Sequence, residues 1–163
     1  MPVTPFHFGI GLLLKGIATA RFSFLAFVAS QVVIDLETAY YILTSQWPLH
    51  RELHTFAIAT PVGLASGLMV WLAGRLVPGL GKGRRVELSP WPAAIGGAAG
   101  GLTHPLLDGV MHPDILPLNP FTSDNPLYLA IGVLQLHLIC VIAAVAGGLM
   151  WAARARVRSV PPS

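Results

Sequence analysis

The sequence predicts an all-α, polytopic membrane bundle of about four to five transmembrane helices, and three observations carry that expectation. Of the 163 residues, 54% are hydrophobic and only 10% are charged, whereas about a quarter are charged in a water-soluble globule. Several uncharged runs approach the roughly 20 residues that cross about 30 Å of hydrocarbon as a helix. Lys and Arg fall in short groups between those runs, as they do in loops retained on the cytoplasmic side.

Taken in order, the first apolar segment, residues 5–19, is short for a span and fits a tilted crossing, a re-entrant arm or an interfacial helix. The second, from Phe22 to about Thr44, carries Asp35 and Glu37. The third, residues 55–74, contains no Asp, Glu, Lys or Arg. The fourth, from Trp91 to about Val110, holds His104 and Asp108. Its Gly96, Gly97, Gly100 and Gly101 remove side-chain bulk, which predicts a central helix closely approached by a neighbour. The fifth, residues 127–153, is again free of charge. Pro61 and Pro105 mark sites of local backbone breaks, which a membrane tolerates only where protein or a wet cavity satisfies the freed groups. Residues 1–153 read as one transmembrane domain and 154–163 as a basic tail.

Arg75, Lys82, Arg84 and Arg85 in one connection, Arg154, Arg156 and Arg158 in the tail, and Lys15 with Arg21 in a turn all read as cytoplasmic. The segment from Met111 to Pro126 has no Lys or Arg, and Ser45 to Glu52 has only Arg51. An outer N-terminus and an inner C-terminus satisfy every loop, as for a multi-pass protein of an inner membrane. Tyr40, Tyr41, Trp47 and Tyr128 then fall at the outer boundary, where amphipathic rings settle. The start, MPVTPFHFGIGLLLKG, has no basic stretch before its apolar part and no small-residue cleavage site, so it reads as part of the mature protein. A net charge of +3 does not indicate nucleic acid, because the cations flank apolar runs instead of forming a stripe. A lone Cys140 excludes a disulfide framework or a cysteine zinc site within one chain.

On that topology His7, Asp35, Glu37, His50, His54, His104, Asp108, His112 and Asp114 come to one depth at one face. Residues four apart share a helix face, so His50 with His54, and His104 with Asp108, can each present two ligands side by side. Gly109 and Pro113 interrupt the same interval at His112. Imidazoles with carboxylates suit zinc, manganese or iron, whereas calcium takes oxygen cages. Plainer readings exist for each. Asp35 and Asp108 can pair with Arg51 or a histidine, Glu37 can face headgroups, and His7, His50 and His54 can be interfacial. His112 and Asp114 can be loop residues. His137 lies apart and reads as packing, Asp124 belongs to a turn, and Glu52 and Glu87 carry no signal.

The blocks TPFHFG at residues 4–9, ID at 34–35, PLHRELHT at 48–55 and HPLLDGVMHPDILPLNPF at 104–121 together resemble the YdjM-like, LexA-regulated type of membrane-bound metal-dependent hydrolases. The order of His, Asp, His and HxxxD is also similar, less specifically, to zinc-dependent phospholipase C and single-strand nucleases. The resemblance implies His7, Asp35, His54, His104 and Asp108 as ligands, with His50 and His112 next. Many relatives carry Thr-His-Ser where this chain has Leu53-His54-Thr55, which leaves the division between His50 and His54 open.

The expectation is a metal-dependent hydrolase at the non-cytoplasmic face, acting on a phosphorylated or other amphiphilic substrate whose tail stays in membrane lipid. Asp35 or Asp108 bridges two ions, and Glu37 or Asp114 takes the proton from water. The competing classes are a metal-ion or proton transporter, whose polar groups should continue across the membrane, and a structural protein stabilised by its polar cluster.

Overall fold

The computed structural model describes residues 4–80 and 87–159, which form five helices and no strand. They are α1 (Thr4–Ala18), α2 (Phe24–Leu43), α3 (Phe56–Leu76), α4 (Pro90–Met111) and α5 (Val133–Ser159), with a single 3-10 turn at Glu52–His54 leading into α3. Two starts are capped as the sequence allows. The Ser23 hydroxyl accepts from Ala26 N and that of Thr55 from Ile58 N, which satisfies N–H groups left without a helical partner. Both α3 and α4 run through their internal prolines without a break.

The fifth helix begins at Val133 and not at Leu127, a correction to the expected span. Asn125 holds the preceding segment over the end of α4: its amide donates to Gly109 O at 2.9 Å and its Oδ1 accepts from Leu127 N at 3.0 Å. Leu129 N then donates to Val110 O at 3.0 Å, and Leu129 has φ 54°, which a helix cannot include. Apolar residues 127–132 therefore form a turn whose backbone is satisfied by α4 and Asn125. The basic residues of the expected tail sit on helix, since α5 continues to Ser159. Lys82, Arg84 and Arg85 lie outside the described residues.

The fourth helix packs against α2 and α3, with smaller contacts to α1 and α5, and α1 pairs with α5. Glycine makes both main pairings close. A Cβ on Gly97 would strike the Gly63 carbonyl, and one on Gly101 the Ala59 carbonyl; across α1 and α5 the same holds for Gly9 against Cys140 and Gly147 against Leu12. Such backbone-to-backbone approach is how helices associate where lipid provides no hydrophobic drive. The opposite faces carry bare aliphatic groups, including Leu134, Leu138, Ile142, Val145 and Leu149 on α5. Three helices, Phe24–Leu43, Phe56–Leu76 and Val133–Val157, are long and apolar enough to cross a membrane, and Pro5–Ala18 is a shorter apolar helix. The chain is an all-helical membrane protein of several spans.

The two ends of the bundle differ in chemistry. At one end Lys15 turns inward, its Nζ 2.5 Å from Glu87 Oε1 and 2.8 Å from Phe22 O. Glu87, silent in the sequence, also accepts from the Ser23 hydroxyl at 3.0 Å and from Leu25 N at 2.9 Å, placing a carboxylate at the start of α2 where the helix dipole favours it. Arg154 donates to the carbonyls of Gly16 and Ile17 at the end of α1. The other end gathers histidines and carboxylates.

Candidate metal centre

Four elements deliver that second end. The start of α1 brings His7, the later half of α2 brings Asp35 and Glu37, and the 3-10 turn brings His54. The last turns of α4 bring His104 and Asp108. His7, His54, His104 and Asp108 are buried, and Asp35 keeps 16% of its side chain exposed. One ligand atom each from Asp35, His54, His104 and Asp108 lies within 4.8 Å of the others. The separations are His104 Nε2 to Asp108 Oδ2 3.1 Å, to His54 Nε2 3.3 Å and to Asp35 Oδ1 3.4 Å. His54 Nε2 stands 3.9 Å from both Asp35 Oδ1 and Asp108 Oδ2.

Those separations fit a small divalent cation. Ligand atoms about 2.0–2.1 Å from a central ion in a tetrahedron stand about 3.3 Å apart, within the observed 3.1–3.9 Å. A second group, His50, Asp108 and His112, meets the same 4.8 Å limit. Asp108 belongs to both groups. Its other oxygen, Oδ1, faces His7 Nε2 at 3.0 Å.

The outer nitrogens determine what the inner ones can do. Gln31 donates its amide to Gly100 O at 3.0 Å, so its Oε1 is left as an acceptor. That oxygen lies 3.1 Å from His7 Nδ1 and 2.6 Å from His104 Nδ1, and both histidines therefore donate Nδ1–H to it. His54 Nδ1 lies 3.1 Å from Glu37 Oε2 and His50 Nδ1 lies 3.0 Å from Asp114 Oδ2. Each carboxylate is held by backbone donors: Glu37 by Arg51 N at 3.0 Å and Leu53 N at 3.2 Å, Asp114 by Leu49 N at 3.0 Å and His50 N at 3.2 Å. This is the arrangement by which ligating histidines are oriented, one nitrogen anchored and the other left basic.

Among the described residues, the buried atoms at the centre without a hydrogen bond of normal geometry include both Asp108 carboxylate oxygens and the Nε2 atoms of His7, His50 and His112. With Nδ1–H donated outward, His7 Nε2 presents a lone pair to a carboxylate oxygen 3.0 Å away. An uncompensated buried carboxylate costs several kcal/mol. A cation among these atoms removes both difficulties, so the donor set fits a metal ion.

Outside the helices, burial lowers the basicity of His50, aided by His54 and opposed by Asp114, and burial likewise lowers that of His112. Both imidazoles are thereby kept neutral, the form that ligates. Burial would raise the Asp114 carboxyl, but His50 beside it and the backbone donors bring it below the usual range. At His54, burial is outweighed by Asp35 and Glu37, and its basicity rises.

All the expected site residues thus meet at one end, though not in one role. Asp35, His54, His104 and Asp108 form the inner group, His50 and His112 join Asp108 in the outer one, and His7 abuts Asp108. Glu37 and Asp114 stand behind His54 and His50. His50 and His54 do not share a helix face: His50 precedes the 3-10 turn that His54 ends, yet the rings meet edge-on at 4.7 Å. His112 caps α4 and stacks on His50 at 4.4 Å. Asp35 and Asp108 both face His54 and His104. Asp124 accepts from Thr122 in a turn, and His137 donates to Val133 O at 2.7 Å.

Gln31 and Thr38, whose hydroxyl lies 3.3 Å from His54 Nε2, were not among the expected residues. The available signal was spacing: Gln31 is four residues before Asp35 and Thr38 three after it, on one helix face. No family model matches the chain, and neither a curated protein nor a solved structure does.

Proposed function

We propose that the chain is a membrane-embedded, metal-dependent hydrolase whose site faces the non-cytoplasmic side and acts on a phosphoester or lipid-like substrate. The observation that carries this reading is the inner group of four ligand atoms all within 4.8 Å of one another, sharing Asp108 with a second group. Zinc suits a set of imidazoles and carboxylates, with manganese or iron as alternatives. Two divalent ions would be balanced by the charges of Asp35, Asp108, Glu37 and Asp114, which supports a two-metal centre. The resemblance to the YdjM-like hydrolases points the same way.

When bound, such ions supply Lewis acidity, acidifying a water toward neutral pH and polarising a phosphoryl or acyl oxygen. Gln31, Glu37 and Asp114 hold imidazole rings in register by accepting Nδ1–H. Asp35, the one inner ligand with solvent access, is placed to pass a proton outward. A transport path would need polar groups continuing to the far end, where Lys15 and Glu87 are instead tied to each other and to backbone.

Elemental analysis of the purified protein, beside phosphodiesterase and esterase assays with chromogenic substrates, tests the reading. Stoichiometric first-row metal is expected, lost together with hydrolysis in His104→Ala and Asp108→Asn. Metal-free protein whose variants keep full activity would sink it, and metal flux in proteoliposomes lost in Asp35→Asn would favour transport.

A further inference from the structure

Beside the outer ligand group a cleft of about 370 Å³ opens, with Trp47, His50, Arg51, Glu52, Asp114 and Asn119 in its wall. His50 and Asp114 join it to the candidate metal centre, because His50 offers a ligand atom to the group with Asp108 and His112.

Arg51 is the cation of this cleft, and it is prepared for a partner. Its Nε donates to Pro48 O at 3.1 Å, its Nη2 reaches Gln46 Oε1 at 3.5 Å, and its guanidinium lies over the Tyr41 ring at 3.7 Å. Stacking and the Nε tether fix the plane of the fork. Among the described residues no carboxylate pairs with that guanidinium and no hydrogen bond uses Nη1. Of the nearby carboxylates, Glu37 accepts from the Arg51 backbone N–H and Asp114 from His50 and Leu49, while Glu52, exposed in the cleft wall, makes no ion pair with the guanidinium among the described residues. A fixed, unpaired guanidinium with a free edge next to a metal group matches the bidentate recognition of a tetrahedral oxyanion.

We propose that Arg51 is the anion-recognition residue of this cleft and takes a phosphate-type oxyanion, so that the substrate is a phosphorylated molecule. The proposal rests on the hydrolase reading for the bond cleavage that comes after binding, while the binding itself can be measured without turnover.

Calorimetric titration of the zinc-loaded, full-length protein with inorganic phosphate tests it, on wild type, Arg51→Gln and Arg51→Lys, with metal content measured in each. Arg51→Gln should weaken phosphate binding about tenfold or more at unchanged metal content. Arg51→Lys, which keeps the charge but loses the fork, should fall between. Wild-type affinity in Arg51→Gln, or no phosphate binding by wild type, overturns the proposal. If Arg51→Gln loses its fold or metal, the decision passes to Arg51→Lys, where undiminished affinity overturns and weakened affinity supports. In chelator-treated protein, Arg51-dependent binding without turnover keeps the cleft assignment even if the hydrolase reading fails. Competition by phosphatidic acid in nanodiscs, with phosphatidylcholine as control, assigns the oxyanion to a lipid headgroup; no competition assigns it to a soluble phosphate.

Discussion

Gln31 Oε1 stands 2.6 Å from His104 Nδ1 and so directs the other nitrogen of that ring toward Asp108. The same oxygen anchors His7. Replacing it with Leu removes the acceptor for two rings at once. Metal affinity should fall about 10–100-fold in Gln31→Leu, as it does on losing an outer-shell partner. Gln31→Glu, which keeps an acceptor, should bind more tightly than Gln31→Leu. Competition with a chromophoric chelator reads both, and wild-type affinity in Gln31→Leu would show that the rings are oriented by packing alone.

Asp108 is common to both ligand groups, whereas Asp35 belongs to the inner one. Metal content should therefore respond differently to two equal changes. Asp108→Asn is expected to empty both groups and Asp35→Asn only the inner one, which elemental analysis per chain distinguishes. Equal losses in the two variants would argue against a shared carboxylate.

Acid should strip the metal. Cations bind the deprotonated imidazole, so protons compete below the ordinary histidine range near about 6.5. Burial at His54 is outweighed by Asp35 and Glu37, which raise its basicity. Zinc affinity should therefore rise from about pH 5 through the ordinary histidine value and level off only once His54 has lost its proton, more steeply than one decade per pH unit because several histidines titrate together. A flat profile across that interval would remove histidines from the coordination shell.

Most helix positions and the gathering of ionisable residues at one end of the bundle were legible in the sequence, because hydropathy reports spans and the ionisable residues at risk in lipid are few. His7, Asp35, His54, His104 and Asp108 could be gathered on topology and resemblance. Roles were harder to read. Glu37 and Asp114 looked like free carboxylates until their backbone donors, from residues 14 and more than 60 positions away in the chain, placed them behind histidines. Gln31 is uncharged and escaped a search for charge. The apolar stretch at residues 127–132 resembles helix in composition, and only the carbonyl of Val110 and the amide of Asn125 make it a turn.

Because α4 carries both His104 and Asp108, its seat on α3 sets the site. A Cβ on Gly97 would strike the Gly63 carbonyl, whereas one on Gly148 meets nothing within 4 Å. Gly97→Ala should destabilise the bundle by about 1–3 kcal/mol, the usual range for overpacking, and weaken metal binding with it. Gly148→Ala should leave metal binding unchanged. Unfolding in detergent, monitored together with metal content, compares them; two equally stable variants would deny the tight α3–α4 contact.

Among the described residues no candidate ligand lies on α5, yet α1, which bears His7, is seated against α5 through Gly9 and Gly147. During synthesis the Asp35, His54, His104 and Asp108 set is complete on the nascent chain before α5 leaves the ribosome. His7, held to that set by Gln31 of α2, gains from α5 only the seat of the helix that carries it. The α5 helix thus serves as a brace for side chains to which, among the described residues, it contributes no candidate ligand atom.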